Sequence, residues 1–270
     1  MMPVLLLLSF LFLFIIGTAV GSFLNVVSRR LLRGESVRGR SHCESCGTTL
    51  SGIDLIPLLS FLLLRGRCRF CGARLSWQYP LVELGTGLLF AALYAVSSQE
   101  PLASSSFITY HLSLITLLIA SSSLIVIFIT DLLKQRVFDQ VVLVGILAAL
   151  LYRVSLNSLN PRGLAADLGL AAGVFVFFWF LRWVTKGRGM GEGDPPVGFL
   201  TTLLVGFPQG LVMLFLAFVF GAVVGLILVF TGQKKLGDQI PFGPFLVTAV
   251  FATILLGDAL LSWYLRLLGI

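Results

Sequence analysis

Two aspartates in this sequence have the positions expected of an acid–base pair at a membrane boundary. Asp131 ends a long apolar run, and Asp194 begins a later apolar run. Two carboxyl groups that lie close together cannot both ionise easily, so one of them keeps its proton. Such a pair supplies a base that activates water and an acid that protonates the nitrogen of a peptide bond. The residues alone leave an alternative open, in which the aspartates cap helices or pair with Lys134 and Arg188.

Glycines precede the second aspartate at alternate positions, which are Gly189, Gly191 and Gly193. Because glycine has no side chain, this segment predicts a backbone that a peptide substrate can approach closely. We therefore expect Gly191 and Gly193 to support substrate binding or catalysis beside Asp194.

The cysteines form two Cys-x-x-Cys pairs within one polar segment, namely Cys43, Cys46, Cys68 and Cys71. Each pair supplies two sulfur ligands from one tight turn, and four thiolates complete the tetrahedral shell of a structural zinc ion. Gly47 and Gly72 follow the two pairs, where a turn needs a residue that tolerates a positive φ. Buried or redox-active thiols are the alternative. The segment is too small for a large apolar core, so we expect the metal to supply much of its folding free energy.

The rest of the chain alternates long apolar runs with short polar segments. Of its 270 residues, 57% are hydrophobic and 11% are charged, whereas soluble domains contain about 25% charged residues. Several runs reach the roughly 20 residues that a helix needs to cross a bilayer. The sequence predicts an all-α polytopic membrane protein with about eight transmembrane helices, of which the sixth is short. The predicted spans are 3–27, 79–98, 108–130, 138–155, 163–184, 195–207, 209–231 and 242–267. In the first span, Gly17 and Gly21 have the spacing that favours close helix packing.

Basic residues lie on one side of these predicted spans. The segment 28–78 contains nine arginines and three acidic residues, and the loops near 131–138, 182–194 and 232–241 add further lysines and arginines. The loop 97–107 contains no lysine and no arginine. Because basic loops stay in the cytoplasm, we expect segment 28–78 and both aspartates to face the cytoplasm and both termini to face outside. The net charge of +7 follows from this asymmetry; without a nucleic-acid-binding motif, it does not indicate nucleic-acid binding.

Several motifs occur in the same order as in one family of membrane enzymes. The segments 189–194 (GMGEGD), 21–27 (GSFLNVV), 66–68 (GRC), 79–83 (YPLVE) and 240–246 (IPFGPFL) resemble motifs of the type IV prepilin peptidases. The two cysteine pairs resemble the cytoplasmic cysteine tetrad of that family, and Asp131 with Asp139 resembles its D-x7-D/N segment. These matches extend over nearly the whole chain, which is thus identified by resemblance as a GxGD intramembrane aspartic protease of this family.

The resemblance implies a specific reaction. The family's catalytic pair corresponds to Asp131 and Asp194, and its substrates are type IV prepilins and pseudopilins, which are cut after a glycine at the cytoplasmic membrane boundary. Enzymes of the family then transfer a methyl group from S-adenosylmethionine to the new N-terminal amine. Asn25 and Glu83 are candidates for methylation or substrate binding, with hydrogen-bonded helix packing as the alternative.

The resemblance also implies a division of the chain in the bacterial inner membrane. Residues 1–27 form the first transmembrane helix, residues 28–78 form a cytoplasmic zinc-binding domain, and residues 79–270 form the transmembrane peptidase domain. Two other functions stay open. One is a peptidase of the same fold that does not methylate, and the other is a non-enzymatic transporter or assembly scaffold. Transporters have internal repeats and place paired acids near the bilayer midplane, unlike the boundary positions predicted here.

Three positions depart from the family pattern. The family usually has a lysine two residues after the second catalytic aspartate, where this chain has Pro196. We expect another cation, such as Lys186 or Arg188, to replace that lysine. Phe138 stands where the family usually has proline, and Glu192 adds a negative charge beside the second aspartate.

Overall fold

A computed structural model describes residues 2–98, 107–157, 160–187, 189–235 and 239–267. This part of the chain contains nine α-helices and no β-strand, which confirms the predicted all-α fold. The helices are α1 (Met2–Arg33), α2 (Leu59–Leu63), α3 (Gln78–Ser97), α4 (Phe107–Lys134), α5 (Asp139–Leu156), α6 (Pro161–Val184), α7 (Asp194–Val205), α8 (Gln209–Phe230) and α9 (Gly243–Leu267). Arg188 and most of the predicted loop 97–107 lie outside the described residues.

The eight helices other than α2 correspond one to one with the predicted spans. Six of them are long and apolar enough to cross a membrane, namely α1, α3, α4, α5, α6 and α8. Helix α9 contains a shorter apolar stretch, Gly243–Gly257. The largest differences are at the ends of α1 and α4, which continue to Arg33 and Lys134. Hydropathy marks where the apolar run ends, whereas a helix continues through the polar residues that follow it.

The chain divides into two compact units, Met1–Glu100 and Pro101–Ile270. In the first unit, α1 packs along α3. A β-carbon on Gly17 would lie 2.8 Å from Cα of Gly87, and one on Gly21 would lie 2.9 Å from the carbonyl oxygen of Val82. Both glycines therefore let the two helix backbones approach closely, as their spacing predicted.

In the second unit, α7 is surrounded by other helices. It contacts α5, α6, α8 and α9, while α4 packs against α5 and α9. Ten residues of α7 are buried, including both its first and its last residue. Its 12 residues span only about 18 Å along the helix axis, compared with about 30 Å for the hydrocarbon core of a bilayer. Helix α7 is therefore too short to cross a membrane by itself.

A buried ion pair stabilises the turn that follows α7. Asp167 on α6 is only 2% exposed, and its Oδ2 lies 2.8 Å from a guanidinium nitrogen of Arg153 on α5. The other carboxylate oxygen of Asp167 accepts a hydrogen bond from the amide of Phe207, at 2.8 Å. Arg153 also donates to the carbonyl oxygen of Val205, at 3.3 Å. Irregular backbone at membrane depth is tolerated where protein groups satisfy it, and these two side chains supply such groups.

Candidate active site and metal centre

Helix α4 positions Asp131 in its last turn, and α7 begins with Asp194. The two residues are separated by more than sixty positions in the sequence, yet Val137, in the connection that follows Asp131, packs against Gly193, the residue before Asp194. Both aspartates are only 6% exposed. The structure thus brings together the two aspartates that the sequence singled out, in surroundings with little water.

A backbone amide holds the carboxylate of Asp194. The N–H of Gly191 donates to its Oδ2, at 2.7 Å. Gly193 is the N-cap of α7, and no side chain caps this helix. Among the described residues, neither Asp131 nor Asp194 forms an ion pair, so Lys134 does not neutralise Asp131. The geometry therefore differs from the alternative in which both aspartates are only caps or ion-pair partners.

Asp131 lies against the start of α9. The peptide N–H of Gly243 interacts with its carboxyl group, and a β-carbon on Gly243 would lie 2.5 Å from Asp131 Oδ2. This oxygen is buried, and no donor in the described part of the chain reaches it with full hydrogen-bonding geometry. The two carboxyl groups therefore differ. Oδ2 of Asp194 accepts a short hydrogen bond, whereas Oδ2 of Asp131 does not.

Arg182 on α6 pairs with Glu192, the exposed acidic residue of the glycine-rich segment before Asp194. Arg182 is therefore a further basic residue beside this segment. Arg188 lies outside the described residues, and the replacement of the family's lysine by Lys186 or Arg188 stays a prediction. The sequence contained a usable signal for Arg182, because it is the basic residue of the last turn of α6.

The glycines before Asp194 have different surroundings. Gly191 is exposed, and a β-carbon there would lie 3.3 Å from Asp194 Oδ2. At Gly193 the corresponding space is filled by Val137, from the connection between α4 and α5. We expected both glycines to admit a substrate backbone, but on the side of its missing side chain Gly193 faces protein. Neither composition nor residue spacing predicts this contact.

The two cysteine pairs meet in the segment between α1 and α3, and their four Sγ atoms all lie within 4.8 Å of one another. Cys43 and Cys68 are buried, whereas Cys46 and Cys71 are exposed. The residues after each pair, Gly47 and Gly72, have φ values of 71° and 70°, as the turn chemistry predicted. Four converging sulfur donors fit the tetrahedral shell of a structural zinc ion, which leaves no ligand position open for catalysis.

The two pairs have the same backbone structure. The amide of Cys43 donates to Thr48 and the amide of Gly47 donates to Cys43, and the second pair repeats both bonds at equivalent positions. Short antiparallel bridges, His42 with Thr49 and Arg67 with Arg74, flank the turns. Each Cys-x-x-Cys pair is therefore a preformed turn that presents two sulfur atoms in one direction.

Glu44, which lies between the first two cysteines, attaches this metal segment to the helices. Its carboxylate accepts from Arg29 and Arg33 of α1, at 2.8 and 2.9 Å, and from the hydroxyl group of Tyr79 on α3, at 3.0 Å. Burial by itself would raise the pKa of Glu44, but Arg29, Tyr79 and Arg33 together hold that pKa below its ordinary value. Glu44 was not among the site residues expected from the sequence, although its position between two metal ligands was a reason to expect a structural role for it.

Asn25 and Glu83 have structural hydrogen bonds. Asn25 is fully buried in α1, and it accepts from the side chain of Gln78, at 3.1 Å. Oε2 of Glu83 accepts from the amide of Leu58, at 2.8 Å, at the start of α2. These contacts agree with the packing alternative for both residues.

Beside them lies a cavity of about 260 Å³, whose lining includes Arg29, Asp54, Phe61, Tyr79 and Glu83.

Comparisons with known proteins agree on one family. Residues 15–97 match the family model of the bacterial Peptidase A24 N-terminal domain, and residues 118–226 match that of the type IV leader peptidase family. A Bacillus subtilis protein named prepilin leader peptidase/N-methyltransferase is 33% identical over 260 residues, which cover 94% of this chain and 97% of the relative. Proteins of the same name from Aeromonas salmonicida and Myxococcus xanthus are 30% and 36% identical, over 96% and 82% of this chain and 94% and 64% of the relatives. No solved structure matches the chain.

Proposed function

The chain belongs to the type IV leader peptidase family, and we propose that it cleaves the leader from type IV prepilins and pseudopilins with Asp131 and Asp194 as its catalytic pair. The observation that carries this proposal is the convergence of two buried carboxyl groups from helices far apart in the sequence. The names of the relatives support prepilins as the substrate class.

Cleavage requires one proton acceptor and one proton donor. The hydrogen bond from Gly191 favours the charged form of Asp194, so Asp194 takes a proton from water while the water oxygen bonds to the scissile carbonyl carbon. Asp131 holds the proton that the pair shares and gives it to the leaving nitrogen as the C–N bond breaks. Oδ2 of Asp131 is suited to this transfer, since it is buried and no hydrogen bond of full geometry in the described residues holds it.

The location of the pair suits such a substrate. Both aspartates lie at the same end of their helices as the basic loops, which we assign to the cytoplasmic side of the inner membrane. A prepilin has a basic leader followed by an apolar helix, so its scissile bond reaches the membrane boundary where the two carboxyl groups lie. We assign the segment 28–78 to the same side and both termini to the opposite side.

We propose that the protein also methylates the new N-terminus. S-adenosylmethionine would supply the methyl group for that amine, and residues that line the cavity beside Tyr79 and Glu83 would hold it. The relatives' names include this second activity. The cavity beside Tyr79 and Glu83 contains aromatic, acidic and basic groups, which suit the adenine ring, the ammonium group and the carboxylate of this donor. A peptidase that does not methylate is the alternative.

The metal in the cysteine cluster is zinc in this proposal, because four thiolates at tetrahedral spacing are a typical structural zinc shell. Its role is to join the two turns of the segment, since neither turn has an apolar core of its own.

One experiment tests both activities. The purified protein is incubated in detergent with a prepilin and methyl-labelled S-adenosylmethionine, and the products are analysed by mass spectrometry. We expect release of the leader and a label on the new N-terminal residue. An intact prepilin, with folded enzyme present, would contradict the proposed function. Cleavage without label would favour the non-methylating peptidase.

A further inference from the structure

The backbone at Gly193 does not require glycine. Its φ of −79° and ψ of −18° lie in the right-handed helical region, which any residue adopts without strain. Gly193 is also the N-cap of α7, a position where serine, threonine, asparagine or aspartate stabilises a helix at least as well as glycine does. The absence of a side chain at this position therefore has another cause.

Val137 occupies the space that a side chain would need. A β-carbon on Gly193 would lie 2.5 Å from Cβ and 2.6 Å from Cγ2 of Val137, well inside van der Waals contact. The nearest of these atoms is the β-carbon itself, which no rotation of the valine side chain can move. Gly193 and Val137 therefore fit together only because residue 193 has no side chain.

The contact joins the two chain segments that bear the aspartates. Val137 lies in the four-residue connection 135–138, whose first amide donates to the carbonyl oxygen of Asp131, at 2.8 Å. Gly193 is bonded directly to Asp194. The contact between Val137 and Gly193 thus links the end of α4 to the start of α7, within a few residues of each carboxyl group.

We infer that Val137 is a positioning residue that sets the separation of Asp131 and Asp194 through its contact with Gly193. Valine has no ionisable group, so this role is one of packing and not of proton transfer. The inference rests on the proposed peptidase function, because it assigns the contact a role in catalysis. A displacement of about 1 Å at a reacting group lowers a rate by roughly 100-fold, and a β-carbon at residue 193 would force a shift of that size.

The test is the rescue of one substitution by another. Gly193→Ala should lower kcat for prepilin cleavage by roughly 100-fold. Val137→Gly removes the β-carbon and both γ-carbons and should lower kcat only several-fold with KM unchanged, since it loosens the contact without touching the substrate. In the double variant the new methyl group enters the space that the side chain of Val137 vacates, and kcat should return to the value of Val137→Gly.

Two matched variants show whether the rescue is specific. Gly191→Ala places its methyl group near Asp194 and not near Val137, so Val137→Gly should not rescue it. Gly173→Ala, on α6, has open space around it and should keep the activity of the wild type. Gel filtration and thermal unfolding of each detergent-purified variant report whether it is folded.

The outcomes separate this inference from the proposed function. Absence of cleavage by the folded wild-type protein would remove both. With an active wild type, a double variant that is folded but as inactive as Gly193→Ala would overturn the positioning role alone, as would full activity of Gly193→Ala. If Gly193→Ala does not fold, Val137→Gly decides, because an unchanged kcat in that variant rejects the role and a lowered kcat at constant KM supports it.

Discussion

Oδ2 of Asp131 lies 2.5 Å from the position that a β-carbon on Gly243 would occupy. Gly243 is the first residue of α9, so the carboxyl group of Asp131 lies against the start of that helix. The last helix of the chain thereby forms part of the surroundings of an aspartate on α4.

Gly243→Ala should abolish or strongly reduce prepilin cleavage, because the new methyl group would displace the carboxyl group of Asp131. We expect a loss of roughly 100-fold in kcat. Gly225→Ala on α8 is the control, since its methyl group would lie 3.6 Å from Ile240, an ordinary contact distance. Equal activity of the two alanine variants would mean that the space at Gly243 does not position Asp131.

Asp131→Asn and Asp194→Asn should each abolish cleavage while the protein remains folded. An amide cannot exchange the proton that each step of the reaction requires. Asp139→Asn should be much milder, because Asp139 is exposed at the start of α5. All three variants are compared in one assay with prepilin in detergent or liposomes. Substantial cleavage by either of the first two variants would remove the assignment of the catalytic pair.

The purified protein should contain one zinc ion per chain, measured by elemental analysis. Serine in place of Cys43 and Cys46 should remove it, whereas His42→Ala should retain it, because four sulfur donors already complete the shell. After zinc removal, hydrogen exchange should rise first in the segment 40–75, while α1 and α3 stay protected by their mutual packing. A protein with free thiols and no metal would contradict the zinc site.

The same double cysteine variant should separate the two activities. We expect it to retain some cleavage, because Asp131 and Asp194 lie outside the metal segment, and to release an unmethylated product, because the cavity beside that segment would lose its shape. Mass spectrometry of the N-terminal peptide detects the missing methyl group. Full methylation by this variant would mean that the metal segment is only a structural clamp. If the variant still methylated a pre-cut substrate but no longer cleaved the prepilin, the metal segment would serve cleavage and not methylation.

Asp167→Ala should destabilise the second unit without any change at the catalytic pair. It would leave Arg153 buried without its partner, which costs about 3–5 kcal/mol, and would leave the amide of Phe207 without its acceptor. Unfolding in mixed detergent micelles measures the difference. Arg162→Ala, at the exposed start of the same helix, should change the free energy of unfolding by no more than about 0.5 kcal/mol.

The elements of this fold follow closely from the sequence, whereas several contacts do not. Apolar runs located all eight helices other than α2, six of which are long enough to match the bilayer. The cysteine spacing indicated the cluster, because each turn is local. The contacts of Val137 with Gly193 and of Asp131 with Gly243 depend on how distant segments pack, so composition and periodicity do not predict them. Arg153 and Asp167 escaped notice for a related reason: each is one charge inside a long apolar run.

The contact between Asp131 and Gly243 also constrains when the protein becomes active during its synthesis. A ribosome makes α4 and α7 well before α9, so a nascent chain holds both aspartates while the amide of Gly243 is still missing. Helix α7 is too short to enter the bilayer by itself, and α8 and α9 bury part of its surface. We therefore expect the chain to gain proteolytic activity only after its last helix has been inserted, so that incomplete chains cannot cut the pilin precursors or other membrane proteins made beside them.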